Sequence, residues 1–131
     1  MASVYTEHIP AGTSTRQFVH YAQLHEYDSE FKKFDFGNAA KNMEHYGSEI
    51  PPDYNLDNVK TPVYLWAADA DSLASEQDIY TLSQRLPNVI RYEIVDIPGF
   101  THLDFATAID ADKAVYSKII YEMNKGEGSR K

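Results

Sequence analysis

Asp71 and His102 are the side chains of this sequence whose types and placement can do acid–base chemistry as a pair. Asp71 comes just after the apolar run Val63-Tyr64-Leu65-Trp66, and His102 stands 31 residues later, after the run Val89 to Asp96 and the turn Pro98-Gly99. A carboxylate that accepts from imidazole Nδ1–H fixes the ring's tautomer and stabilises the imidazolium, which frees Nε2 to take a proton from a hydroxyl nucleophile. Asp69 is the rival acid, closer to the end of the first run, and the residues alone leave that choice open. The nucleophile in its usual setting is missing: no G-x-S-x-G occurs, and Gly47-Ser48 continues to Glu49 and Ile50 without a second glycine. The pair reads as the acid-and-base half of a Ser-His-Asp triad.

Such a pair needs a rigid support with converging loops, and the carboxyl ends of parallel strands provide one. Thr61-Pro62 opens a strand over Val63 to Ala67, whose near-continuous apolar character suits a parallel strand covered on both faces. Ala68 to Ala74 form a polar loop. Ser75, with Asp78 three residues on, resembles a capping box, and Ile79, Leu82 and Leu86 give the following helix its stripe up to Pro87. Val89, Tyr92, Ile94 and Ile97 mark the second strand. A last helix starts near Asp110 and carries Ala114, Val115, Ile119, Ile120 and Met123 on one side.

The first part of the chain is less regular. After Pro10 and Gly12, Ser14 caps a helix through about Tyr27, with Phe18, Tyr21, Ala22, Leu24 and His25 at three- and four-residue spacing. Phe31, Phe34 and Phe36 form an aromatic stretch too short to assign to strand or turn. Asn38 to Tyr46 predicts one or two helical turns closed by Gly47, and Pro51-Pro52 begins an extended connector through Asp57. These features divide the chain into a helical connecting segment over 1–57, a βαβα unit over 58–125 and a disordered tail over 126–131. The fold class is α/β.

The other titratable groups carry less. Asp104 reads as an N-cap for the turn after His102, and a His102/Asp104 metal site lacks a third ligand. His20, His25 and His45 lie in the first segment without metal-ligand spacing, and read as ordinary helix or packing residues. The three Phe residues read as packing, with an apolar substrate channel as the alternative. No metal or cofactor is expected.

Composition narrows the partners. Across 131 residues the net charge is −8 at pH 7, and neither Lys32-Lys33 nor the tail from Lys125 to Lys131 makes the basic cluster that nucleic acid requires. There are no cysteines, so disulfides and thiolate metal sites are excluded. No apolar run reaches membrane-span length, and Met1 to Glu7 lacks the pattern of a signal peptide, which predicts a cytosolic chain.

Several stretches together resemble the acid lipases, the family of gastric and lysosomal lipases and their insect relatives. They are Pro10-Ala11-Gly12-Thr13-Ser14, His20-Tyr21-Ala22-Gln23, Phe34-Asp35-Phe36-Gly37, Pro51-Pro52-Asp53-Tyr54-Asn55-Leu56, Thr61-Pro62-Val63-Tyr64-Leu65, Leu86-Pro87-Asn88-Val89 and His102-Leu103-Asp104-Phe105. They run in family order from about Val4 to Met123. The resemblance implies the C-terminal part of an α/β-hydrolase fold, with parallel strands, flanking helices and a preceding segment derived from the cap. In the family's G-x-D-x-L-A pattern, Ser72-Leu73-Ala74 places the triad acid at Asp71, and the H-L-D-F histidine is His102. The family's glycines before the acid are replaced by Ala67, Ala68 and Asp69. The implied substrate is a neutral lipid ester, hydrolysed once the nucleophile is supplied; the implied location is secreted or lysosomal. A chain without that nucleophile is expected to be inactive, or to act as a binding or decoy module that self-associates through an exposed strand edge.

Overall fold

A computed structural model of the chain describes residues 12–26 and 31–128. Pro10, Ala11, Tyr27 and the tail residues 129–131 lie outside the described residues. The chain separates into two compact units, Met1–Asn55 and Leu56–Lys131.

In the first unit, α1 (Thr15–Glu26) starts where Ser14 Oγ accepts from the Arg16 amide at 3.2 Å. Among the described residues its expected apolar stripe is only partly covered: α1 has no buried residue, Phe18 and Tyr21 are exposed, and Leu24 is half-buried. A stripe of the right period shows where a helix can pack, not that a neighbour is present. Helix α2 (Ala39–Tyr46) is capped by Asn38, which accepts from Ala40 and Lys41, and closed by Gly47 at φ 70° with its amide on Met43 O. Between these helices the aromatic stretch is extended. Lys32 bridges Asp53 in antiparallel fashion, with Lys33 N–H on Pro52 O and Tyr54 N–H on Phe31 O.

Several backbone groups of that stretch bond to side chains in place of a strand. Gln23 takes both the N–H and the C=O of Asp35, Asn42 accepts from Phe36 N–H, and Tyr46 donates to Phe34 O. Asn42 is buried because all its polar atoms are used: its amide also donates to Asp35 Oδ1 and Glu49 O.

The second unit holds strand β1 (Val63–Ala67), helix α3 (Glu76–Arg85), strand β2 (Val89–Ile94), the short helix α4 (Asp104–Thr107) and helix α5 (Ser117–Gly128). The last helical segment begins at Ala111, next to the expected Asp110, and passes through a wide π-type turn, Asp112–Tyr116, into α5. Helix α5 runs on through residues 126–128, into the segment expected to be disordered. No helix among the described residues is long and apolar enough to cross a membrane.

Strands β1 and β2 pair in parallel, Leu65 with Tyr92 and Trp66 with Glu93, with a bulge between Val63 and Tyr64. Parallel pairing of consecutive strands requires a crossover, and α3 supplies it. Ser75 caps α3 through the Asp78 amide at 3.1 Å, and Leu86 ends it in extended conformation ahead of Pro87. The strands are less covered than expected. Val63 to Trp66 are only half-buried, and Ile90 and Ile94 on β2 are exposed; among the described elements α3 is the helix that packs against both strands.

The apolar core sits at the carboxyl ends of the strands. Ala68, Val95, Phe100, Ala111 and Val115 are buried there, packed by Trp66, Ile97, Phe105 and Ile119. The two loops that follow the strands are therefore rooted in the best-packed part of the unit.

Candidate active site

Each loop fixes its own functional side chain. After β1, the Asp71 carboxylate turns back on its own chain, and Oδ1 accepts from the Leu73 and Ala74 amides, both at 2.8 Å. This Asx-type arrangement holds the carboxylate rigidly and leaves Oδ2 for a partner. After β2, Gly99 at φ 77° reverses the chain, Phe100 anchors it in the core, and Thr101 is braced by Asp104.

The brace departs from expectation. Asp104 is the first residue of α4 and not its N-cap; that position falls to Leu103, which makes no side-chain cap. Asp104 Oδ2 instead accepts from both the amide and the hydroxyl of Thr101, each at 2.7 Å, clamping the turn that carries His102.

The structure brings His102 to Asp71, with Nδ1 at 2.9 Å from Oδ2. An ionised carboxylate only accepts, so Nδ1 carries the proton and Nε2 presents its lone pair. The Asp71 side chain is 4% exposed and that of His102 49%, so the acid is sheltered while the base faces outward. Among the described residues nothing bonds Nε2. Burial pushes the Asp71 carboxyl up, but the Ala74 amide, the His102 ring and the Leu73 amide together outweigh it and hold the group below its ordinary value.

Asp69 does something else. Its Oδ1 accepts from Gly99 N–H at 3.0 Å and Phe100 N–H at 3.1 Å, and its Oδ2 lies 3.1 Å from Gly99 N. The carboxylate joins the two loops, a role that residue type and spacing did not reveal. The only sequence signal for it was an acid in place of a glycine opposite a Pro-Gly turn.

The other candidates fall apart as a site. His20 Nε2 is 3.0 Å from Lys32 O, and His45 stacks on Phe36 at 4.1 Å between centroids. Phe34 and Phe36 pack edge to face at 5.2 Å. A cavity of about 300 Å³ is lined by Ser14, Arg16, Gln17, His20 and Phe34, far in sequence from either member of the pair. No cluster of three or more metal-ligating side chains exists among the described residues.

A carboxylate-buttressed imidazole on loops after parallel strands is an arrangement that can accept and return a proton. The chain is 40% identical to a gastric triacylglycerol lipase of Bos taurus over 117 residues, 89% of this chain and 29% of that lipase. It is 38% identical over 122 residues to the lysosomal acid lipase/cholesteryl ester hydrolase of Homo sapiens, and equally so to lipase member N of Mus musculus, covering 30% of each. No family model matches. The chain belongs to the acid lipase family, and spans about three-tenths of the length of the curated relatives it matches.

Proposed function

We propose that this chain carries the acid and base of a lipid ester hydrolase, in the C-terminal part of an α/β-hydrolase fold. Residues 58–125 form the core portion and residues 1–57 a segment derived from the cap. The observation that carries the reading is the 2.9 Å contact between Asp71 and His102, with Nε2 left open. In acyl transfer, Nε2 removes the proton from a serine hydroxyl as it attacks the ester carbonyl, then returns it to the leaving alkoxide. Asp71 remains ionised throughout and stabilises the imidazolium. The relatives' printed names, triacylglycerol lipase and cholesteryl ester hydrolase, point to neutral lipid esters as substrate.

The serine and its oxyanion hole come from sequence outside these 131 residues. Because triad members act as a unit, acid and base alone confer little rate. The test is direct: the 131-residue chain should not be labelled by a fluorophosphonate, whereas an in-frame G-x-S-x-G upstream of Met1, expressed with it, should restore labelling. Labelling of the short chain, or an immediate upstream stop codon, overturns the reading.

A second reading, a binding or decoy module, is favoured by one observation. Strands β1 and β2 pair only with each other among the described residues, which leaves an outer edge on each, and Ile90 and Ile94 are exposed beside one of them. Light scattering distinguishes the two: a monomer with sharp unfolding speaks against this reading, a dimer for it.

A further inference from the structure

We propose that Asp69 is a positioning residue that sets the distance between Asp71 and His102 by clamping the loops that carry them. This inference rests on the acid–base reading of that pair. Asp71 is fixed relative to its own loop by the Leu73 and Ala74 amides, and His102 relative to its own by Phe100 and the Thr101–Asp104 brace. The apolar core that Phe100 shares with Ala68 joins the bases of the two loops without fixing a direction, and none of those hydrogen bonds sets one loop against the other.

The Asp69 carboxylate does, two residues before Asp71, by accepting from Gly99 and Phe100, the latter two residues before His102. Beyond the acid–base pair, another hydrogen bond across this gap among the described residues joins Ala70 N–H to Phe100 O at 3.2 Å. Below it the nearest tie is Val95 N–H to Ala67 O at the sheet end.

The chemistry suits the task. Two consecutive amides, the first on a residue in left-handed conformation, form a concave anion cradle, and a carboxylate there makes charge-assisted bonds. Asp69 is exposed to solvent, so its loss removes little buried surface. Its effect should fall on geometry, where a loosening of about 1 Å is enough to separate an acid from its base.

The test uses the 131-residue chain labelled with ¹⁵N, with the His102 ring assigned by its loss in H102Q. At mildly alkaline pH the unsubstituted chain should show His102 protonated on Nδ1, with that proton at low field. D71N should abolish the low-field signal. D69A should abolish it too and give a mixed tautomer, while amide signals of α3 and α5 stay in place. D69N, which keeps the Oδ1 acceptor, should retain it, as should D96N, which makes the same charge change without touching the clamp.

Retention of the signal in folded D69A overturns the clamp and leaves the acid–base reading standing. Retention in D71N sinks that reading itself. Should D69A not fold, D69S, whose hydroxyl is too short to bridge both amides, takes its place with the same expectation. Collapse of both overturns the assignment, because the carboxylate would then support the whole unit and not the pair.

Discussion

His102 Nδ1 lies 2.9 Å from Asp71 Oδ2, and the two residues are 31 positions apart, on loops that leave neighbouring parallel strands. In a hydrolase that contains this chain and its nucleophile, D71N should preserve the shape of the site but release the imidazole's tautomer. We expect kcat to fall by a factor on the order of 10⁴ with KM little changed. Steady-state kinetics on a soluble ester measure it, and a loss below tenfold would remove Asp71 from the mechanism.

Acid should destabilise the unit in a defined direction. The Asp71 carboxyl is held below its unfolded value near 3.8, and Glu93, bonded to Lys118 and Arg91, below its value near 4.5. Groups with depressed folded values contribute stability that is fully present above the unfolded values and lost as pH falls through the folded ones. Urea unfolding should therefore be nearly flat from neutral pH to about pH 5 and decline below it. E93Q should lessen that decline; an unchanged slope would mean the ion pairs are not formed in solution.

Phe100, two residues before the base, is 3% exposed and packs edge to face on Phe105 at 5.1 Å. F100A should cost about 3–5 kcal/mol, as expected for a large core side chain replaced by a methyl group. Denaturant titration checks this, and a cost under about 1 kcal/mol would place Phe100 outside the core.

Gly99 adopts φ 77°, and a Cβ built there meets nothing within 4 Å. The cost of G99A is therefore conformational, about 1–2 kcal/mol, with no steric part. Because this residue also donates to Asp69, the low-field His102 proton should weaken in G99A; thermal unfolding and proton spectra read the two effects separately.

Helix α3 offers a control far from the pair. S75A removes the acceptor of the Asp78 amide and should cost about 1 kcal/mol without altering the His102 ring signals.

Much of this molecule is legible one segment at a time. The capped start at Ser75, the closing Gly47, the apolar run Val63 to Ala67 and the turn at Gly99 are local matters of backbone preference, capping and period, and all appear where the residues indicate. The candidacy of Asp71 and His102 was equally visible, from residue type and order along the chain. Other features depend on contacts between distant residues, which periodicity does not encode. Choosing Asp71 over Asp69 as the partner of His102 required loop torsions that turn one carboxylate toward the imidazole and the other toward the Gly99 and Phe100 amides. The partly covered stripe of α1 and the half-covered strands followed from which neighbours are present. Local residue patterns indicated most of the elements and the chemistry they could carry; which groups meet followed from packing, because hydrogen bonds a few ångströms long between residues thirty positions apart depend on how the whole unit folds.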